Sequence, residues 1–161
     1  MRDQAWLQAL LDETWDRYFS DVPQDNIVRL QFGRRAKTRL GSISVHPREP
    51  DVSVIRLNGL FRDPAIPEFV VQATLVHELS HYSHGFNSPH QQKFRHPHAG
   101  GVMRAEFAER GLESLYKKQK KWLKDNWVTI AQRNFSRSSN RSRSVVRRTT
   151  KVPKPFWIIG L

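Results

Sequence analysis

Residues 76–103, VHELSHYSHGFNSPHQQKFRHPHAGGVM, hold six of the chain's seven histidines, at 77, 81, 84, 90, 96 and 98. Within them, His77-Glu78-Leu79-Ser80-His81 has the form H-E-x-x-H. Residues four apart on an α-helix lie one turn apart on the same face, so two imidazoles there can grip one ion. Zn²⁺ suits such ligands, because neutral imidazole nitrogens bind it tetrahedrally at about 2.0–2.1 Å. Glu78, one position on from His77, points beside the metal and is placed to take a proton from the attacking water, as in a metalloprotease. The same five residues arise by chance on wet helix faces. The context here is different: Glu68–Val76 is apolar enough for a buried helix, Pro67 stands where a helix can begin, and Gly85 follows as a C-terminal cap. A buried helix carrying two histidines and a glutamate must offset their desolvation, and a metal does so most simply.

A catalytic zinc keeps three protein ligands and one open position. A metzincin would need Gly at 84 and His at 87, where this chain has His84 and Asn87. A later glutamate, Glu106 or Glu109, is one source of the third ligand, and histidine is the richer one. His84 sits at the helix end, as a cap or facing solvent, and His90 follows Ser88-Pro89 in a loop. His96 and His98 bracket Pro97 just before Ala99-Gly100-Gly101, where a new helix starts. A ligand heading that helix can be aimed back at the first, so the order of preference is His98, then His96, then His90.

The stretch from about Ile27 to Leu112, roughly half the chain, resembles the SprT-like domain, the minimal zincin core of Spartan-type proteases. The residues that carry the resemblance are Ile55-Arg56-Leu57-Asn58-Gly59-Leu60-Phe61, then the H-E-x-x-H helix, then His98 or His96 heading another helix. The family often has His-Gly and an aromatic residue at the third ligand. Here the sequence is His98-Ala-Gly-Gly-Val, and His90-x-x-x-Phe94 imitates the family spacing nearer the first pair. The resemblance implies an α+β fold: a small three-stranded sheet packed on helices that include the H-E-x-x-H helix. It also implies a zinc endopeptidase whose substrates are proteins bound or crosslinked to DNA.

At 161 residues the chain suits one domain with a real core. The absence of cysteine excludes disulfides, thiolate zinc sites and a cysteine zinc ribbon. The N-terminus carries acids within its apolar stripe and lacks a small-residue cleavage site, so it does not read as a signal peptide. No apolar run approaches a membrane span. These features suit a cytoplasmic, nucleic-acid-associated protein. The net charge of +12 is uneven: Asp125 is the last acidic residue and eight Lys or Arg follow it. Such asymmetry reads as a basic arm for nucleic acid.

In chain order, residues 3–20 carry an apolar stripe at helical spacing, and 27–32, 40–45 and 52–57 read as three strands. The basic connection Gly33–Arg39 reads as a solvated hairpin end that can also touch phosphate. From the resemblance, the third strand borders the cleft and accepts substrate backbone as an added strand. A helix runs from Val102 to Tyr116, interrupted by Gly111, and passes into residues 117–127. There five lysines surround Trp122 and Trp127. Either the tryptophans face the core while the lysines stay wet, or lysine and indole meet phosphate and base. Residues 1–132 make up the SprT-like domain with its core at 27–116. Residues 133–161 read as a basic, disordered tail with an apolar end.

Three functions compete. The first is a zinc endopeptidase with Glu78 as general base and His77, His81 and His98 on the metal. A YbeY-type zinc endoribonuclease also holds two histidines four apart, but lacks the glutamate and would need a histidine at Asn87. The third is a nucleic-acid-binding module with a structural zinc held by four ligands.

Overall fold

The computed structural model describes residues 1–135 as an α+β fold with four helices and one three-stranded mixed sheet. Helix α1 (Gln4–Tyr18) starts where the Asp3 carboxylate accepts the Trp6 backbone N–H at 2.8 Å. That side-chain cap satisfies one of the orphan amides of the first turn. Leu7, Leu10, Leu11 and Trp15 recur at helical spacing on α1 and are all buried.

Strands β1 (Ile27–Phe32), β2 (Gly41–Val45) and β3 (Val52–Leu57) form a sheet in the order β1-β3-β2. β3 is therefore central, parallel to β1 and antiparallel to β2. This corrects two sequence expectations. Gly33–Arg39 is not a hairpin end, because β1 and β2 do not pair: the connection crosses the end of β3. It is held there by Gly33 N–H to the Leu57 carbonyl (2.7 Å) and Gly59 N–H to the Arg34 carbonyl (3.2 Å). β3, with both edges paired, cannot take up a further strand. Among the described residues, β1 and β2 are the edge strands.

Buried Asn58 explains why the crossing is fixed. Its Nδ2 donates to the Ala36 (2.8 Å) and Arg39 (2.7 Å) carbonyls, and its Oδ1 accepts from Ala36 N–H and Leu60 N–H. One side chain thus caps the 3₁₀ turn Gly59–Arg62 and clamps the basic connection. Gly59 has no alternative residue here, since a Cβ would meet the Gly33 carbonyl at 2.6 Å.

Helix α2 (Glu68–Ser83) lies in the middle of the molecule, against β2, β3, α1, α3 and α4. Four β-branched residues in its first nine lower its intrinsic propensity, so its helicity comes from burial. Pro67 precedes it without a side-chain cap. Helix α3 (Val102–Glu109) ends before Gly111, at φ +71, and α4 (Glu113–Phe135) begins anew. The expected Val102–Tyr116 helix is thus two helices, and the second absorbs the lysine-rich segment. It also continues to Phe135, so residues 133–135 of the segment expected as a tail are helical; residues 136–161 lie outside the described residues.

α4 docks on α2 through Gln119, which is buried and donates to the Val70 carbonyl (3.0 Å) and Thr74 Oγ1 (2.9 Å). Trp127 is fully buried, packs edge-on to Phe61 and donates its indole N–H to the Lys37 carbonyl at 2.7 Å. Of the two readings of that segment, Trp127 follows the core-facing one and cannot stack on a base. Among the described residues, no helix is long and apolar enough to cross a membrane.

Candidate metal centre

His77 and His81 leave α2 on one face, 4% and 6% exposed, with Glu78 between them at 3%. His98 ends the loop that follows α2 and heads a short 3₁₀ turn, Ala99–Gly101, which leads into α3. The Nε2 atoms of His77, His81 and His98 form a triangle with all three sides 3.1 Å. Tetrahedral zinc–imidazole bonds of about 2.0–2.1 Å require ligand nitrogens about 3.3–3.4 Å apart, so the triangle needs to open by only a few tenths of an ångström. These three side chains can hold a metal ion. Burial and the two neighbouring imidazoles push the pKa of His77 well below the ordinary histidine value. Burial, with the imidazoles of His98 and His84, takes His81 to about 3, and burial lowers His98. All three rings are thus neutral at neutral pH, the form a metal requires.

The other candidates are engaged elsewhere. His84 is the C-cap residue of α2 but is buried, not solvent-facing, and its Nε2 meets Glu106 Oε2 at 2.8 Å. His90 pairs through Nδ1 with Asp25 at 3.3 Å. His96 and Glu109 are exposed and outside the triangle. Asn87, where an endoribonuclease of the YbeY type would carry its third histidine, hydrogen-bonds the sheet: its Nδ2 donates to the Ile43 carbonyl (3.2 Å) and its own carbonyl accepts from Ser53 Oγ (2.7 Å).

The path from His81 to His98 is fixed at both ends. Gly85, at φ +81, turns the chain off α2 and lets the Gln91 backbone pass where a Cβ would stand 2.6 Å away. Lys93 N–H then donates to the His84 carbonyl and Ser88 Oγ to the Tyr82 carbonyl. After His98, Gly100 and Gly101 both adopt positive φ, a tight entry to α3 that other residues resist. α3 is in turn tied to α2 and α1 by Glu106. Its carboxylate accepts from His84, from Ser83 Oγ and from Arg110 Nε at 2.8 Å, and Arg110 reaches on to Asp21 and the Tyr18 carbonyl.

Burial alone would raise the Glu106 pKa, but the hydrogen bonds from His84 and Arg110 outweigh it and hold the group at about 2. A carboxylate depressed in this way stabilises the fold fully above its unfolded value of about 4.3 and loses that contribution as pH falls towards 2. Glu106→Ala should destabilise the protein by about 2 kcal/mol at pH 7, because it takes a buried charged acceptor from His84, Ser83 and Arg110 and leaves Arg110 with Asp21 and the Tyr18 carbonyl. The difference from wild type should shrink on titration from pH 5 to pH 2.5. Denaturant melts across that range check it, and a gap that is constant with pH would show that Glu106 acts by packing alone.

The triangle faces a cleft of about 460 Å³ that is also lined by Glu78, Phe86 and residues 41–44 of β2. Burial raises the Glu78 carboxyl to about 8, with Arg39 pulling the other way. Gly41 stands directly over it: a Cβ there would lie 2.5 Å from Glu78 Oε1. In the sequence Gly41 reads as an ordinary strand residue; the signal of its role is a glycine opening a strand just ahead of Ile43 and Val45. β2 is framed by hydrogen bonds from His46 N–H to the Val52 carbonyl and Asn58 N–H to the Leu40 carbonyl. In an antiparallel pair such bonds alternate, so the backbone groups of Gly41, Ile43 and Val45 point away from β3 along the cleft edge. Phe86 meets the His81 ring edge-on at 6.0 Å. Among the described residues, no hydrogen-bond partner reaches the buried His81 Nδ1, and packing sets that ring. Comparisons with protein-family models, with curated proteins and with solved structures find no match for this chain.

Proposed function

We propose that the chain is a zinc-dependent endopeptidase of SprT-like type. The observation that carries this reading is the triangle of three imidazole nitrogens, 3.1 Å on each side, in an open cleft shared with Glu78. His77, His81 and His98 would hold the metal. A zinc ion there supplies Lewis acidity, polarising the scissile carbonyl and acidifying water. Glu78 takes the proton of the attacking water and returns it to the leaving amine, which is general-base and then general-acid work. The outward N–H and C=O groups of Gly41 and Ile43 bind the substrate backbone as an added strand; Asn87 holds the Ile43 carbonyl in the absence of substrate. The role expected of the third strand thus passes to the second. Three ligands facing a cleft favour this reading over a structural site, which would close with four.

The full chain, loaded with zinc, should cut an unstructured protein such as casein at internal bonds, and a chelator should stop it until zinc is restored. Mass spectrometry of the fragments reads the outcome; intact casein under every metal condition would end the proposal.

The basic segment from about residue 133 would deliver the enzyme to nucleic acid, since eight Lys or Arg follow Asp125 with no acid among them. Counterion release makes such binding fall steeply with salt and ignore sequence. Replacing the arginines of 133–148 with glutamine should weaken DNA binding and flatten its salt dependence while casein cleavage persists. Unchanged binding at every salt concentration would make the segment a linker.

A further inference from the structure

Each edge of the sheet is stopped at mid-strand by a side-chain amide. Alternate backbone carbonyls of β1 and β2 face away from β3, and one on each edge accepts a hydrogen bond from elsewhere in the chain. On β1 it is the Leu30 carbonyl, reached by Gln4 Nε2 at 2.6 Å. On β2 it is the Ile43 carbonyl, reached by Asn87 Nδ2 at 3.2 Å. Such plugs keep an exposed strand edge from pairing with other chains. The two differ in place. Gln4 opens α1, and no β1 residue lines the metal cleft. Asn87 lines that cleft together with the three histidines and Glu78, on the edge that substrate is to use.

The backbone that carries Asn87 is fixed. The Asn87 carbonyl accepts from the buried Ser53 Oγ at 2.7 Å, and Ser53 in turn accepts from Asn26 Nδ2 at 2.9 Å. On one side, Phe86 N–H donates to the His81 carbonyl at 2.9 Å; on the other, Ser88 Oγ donates to the Tyr82 carbonyl at 2.7 Å. Residues 86, 87 and 88 are thus each tied to β3 or α2. Asn87 also holds φ +55, a left-handed conformation that asparagine tolerates better than most residues. The carboxamide is therefore presented to Ile43 by fixed backbone. Only its own side-chain torsions need to turn for it to leave.

We propose that Asn87 is an internal competitor for the substrate-binding edge: its carboxamide N–H stands on the Ile43 carbonyl in place of a backbone N–H of the substrate, and binding swings it away. The inference rests on the endopeptidase reading and adds a device that sets its affinity. A carboxamide and a peptide group offer the same donor, so the contact mimics one rung of the added strand. The cost falls on substrates long enough to lie opposite Ile43, whose apparent affinity drops by the fraction of protein in which the edge is free. A peptide that pairs with Gly41 alone leaves Asn87 where it is.

The test uses the full zinc-loaded chain carrying Glu78→Gln and labelled peptides spanning one casein cleavage site, read by fluorescence anisotropy. Asn87→Gly removes the carboxamide and accepts the positive φ without strain. Asn87→Asp keeps the size but has no N–H to donate, and its carboxylate is repelled by the Ile43 carbonyl. Each should bind the long peptides about threefold to tenfold more tightly, the worth of one net hydrogen bond. With Glu78 present, the same substitutions should lower KM by that factor at the same kcat, as for a change in uniform binding. Trimming the peptide should reach a length at which the advantage vanishes, and Gln4→Ala, which frees the carbonyl on the far edge, should show none. Zinc analysis checks that the loop still carries His98; should Asn87→Gly lose zinc, Asn87→Asp decides. Unchanged or weaker binding in the variants, an advantage equal at every peptide length, an equal gain in Gln4→Ala, or zinc lost from both Asn87 variants would overturn the competitor. Tighter binding without cleavage by any Glu78-bearing form would sink the endopeptidase and leave the competitor standing, and cleavage without any gain in binding would do the reverse.

Discussion

Glu78→Gln is expected to keep the metal and the fold while lowering peptide cleavage by about 10²–10⁴-fold, the usual contribution of a positioned general base. The amide fills the same space but cannot take a proton, so any effect on rate without an effect on zinc content isolates proton transfer. Gly41→Ala approaches the same step from the other side. The new methyl group would sit 2.5 Å from Glu78 Oε1, so the carboxyl must turn out of its place under β2. The β2 backbone itself has an ordinary strand conformation that alanine accepts, and the zinc triangle does not touch residue 41. Gly41→Ala should therefore retain zinc and lose most of the rate, with kcat falling more than KM rises. Steady-state kinetics beside metal analysis checks both variants. Wild-type turnover in Glu78→Gln would remove Glu78 from the mechanism, and wild-type turnover in Gly41→Ala would show that the carboxyl need not lie where it does.

How much of this site the sequence discloses depends on whether the relevant contacts are local. His77, Glu78 and His81 are legible because helical periodicity alone sets their relation, and the apolar run before them announces burial. His98 is legible as a candidate because two glycines after it mark a sharp helix entry. Its preference over His84, His90 and Glu106 is not local. It follows from Asp25 claiming His90 and from His84 and Glu106 claiming each other, partners separated by 65 and 22 residues. The strands themselves were readable from alternation, but their order was not. A basic connection between two strands reads as a hairpin unless one sees that Asn58 clamps it across the end of a third. The placement of substrate on the third strand came from the resemblance, and it fails because β3 is the central strand. The interruption that the sequence puts at Gly111 is where α3 ends and α4 begins anew, because the glycine takes a positive φ there.

Removing the metal should lower the melting temperature of the protein substantially and loosen one segment in particular. His77 and His81 sit on a helix packed on five sides, so their positions survive without an ion. His98 is exposed and is carried by the stretch from Gly85 to Gly101, whose own side chains bury little. An ion held by all three therefore stitches that stretch to α2, and its binding free energy becomes folding free energy. At a free zinc concentration a thousand times the dissociation constant, the stabilisation is about 4 kcal/mol. For a domain of this size that corresponds to a melting shift of roughly 8–16 °C. His98→Ala should show the low melting temperature with zinc present and should not respond to a chelator. His96→Ala should behave as the wild type, and His90→Ala should melt somewhat lower for loss of Asp25 yet still respond fully to the chelator. Hydrogen exchange should report faster opening of residues 86–101 in the chelated protein and in His98→Ala, with the amides of α2 still protected. Identical melts with and without chelator would show that the three imidazoles hold no metal that matters to the fold, and a wild-type response in His98→Ala would move the third ligand to another residue.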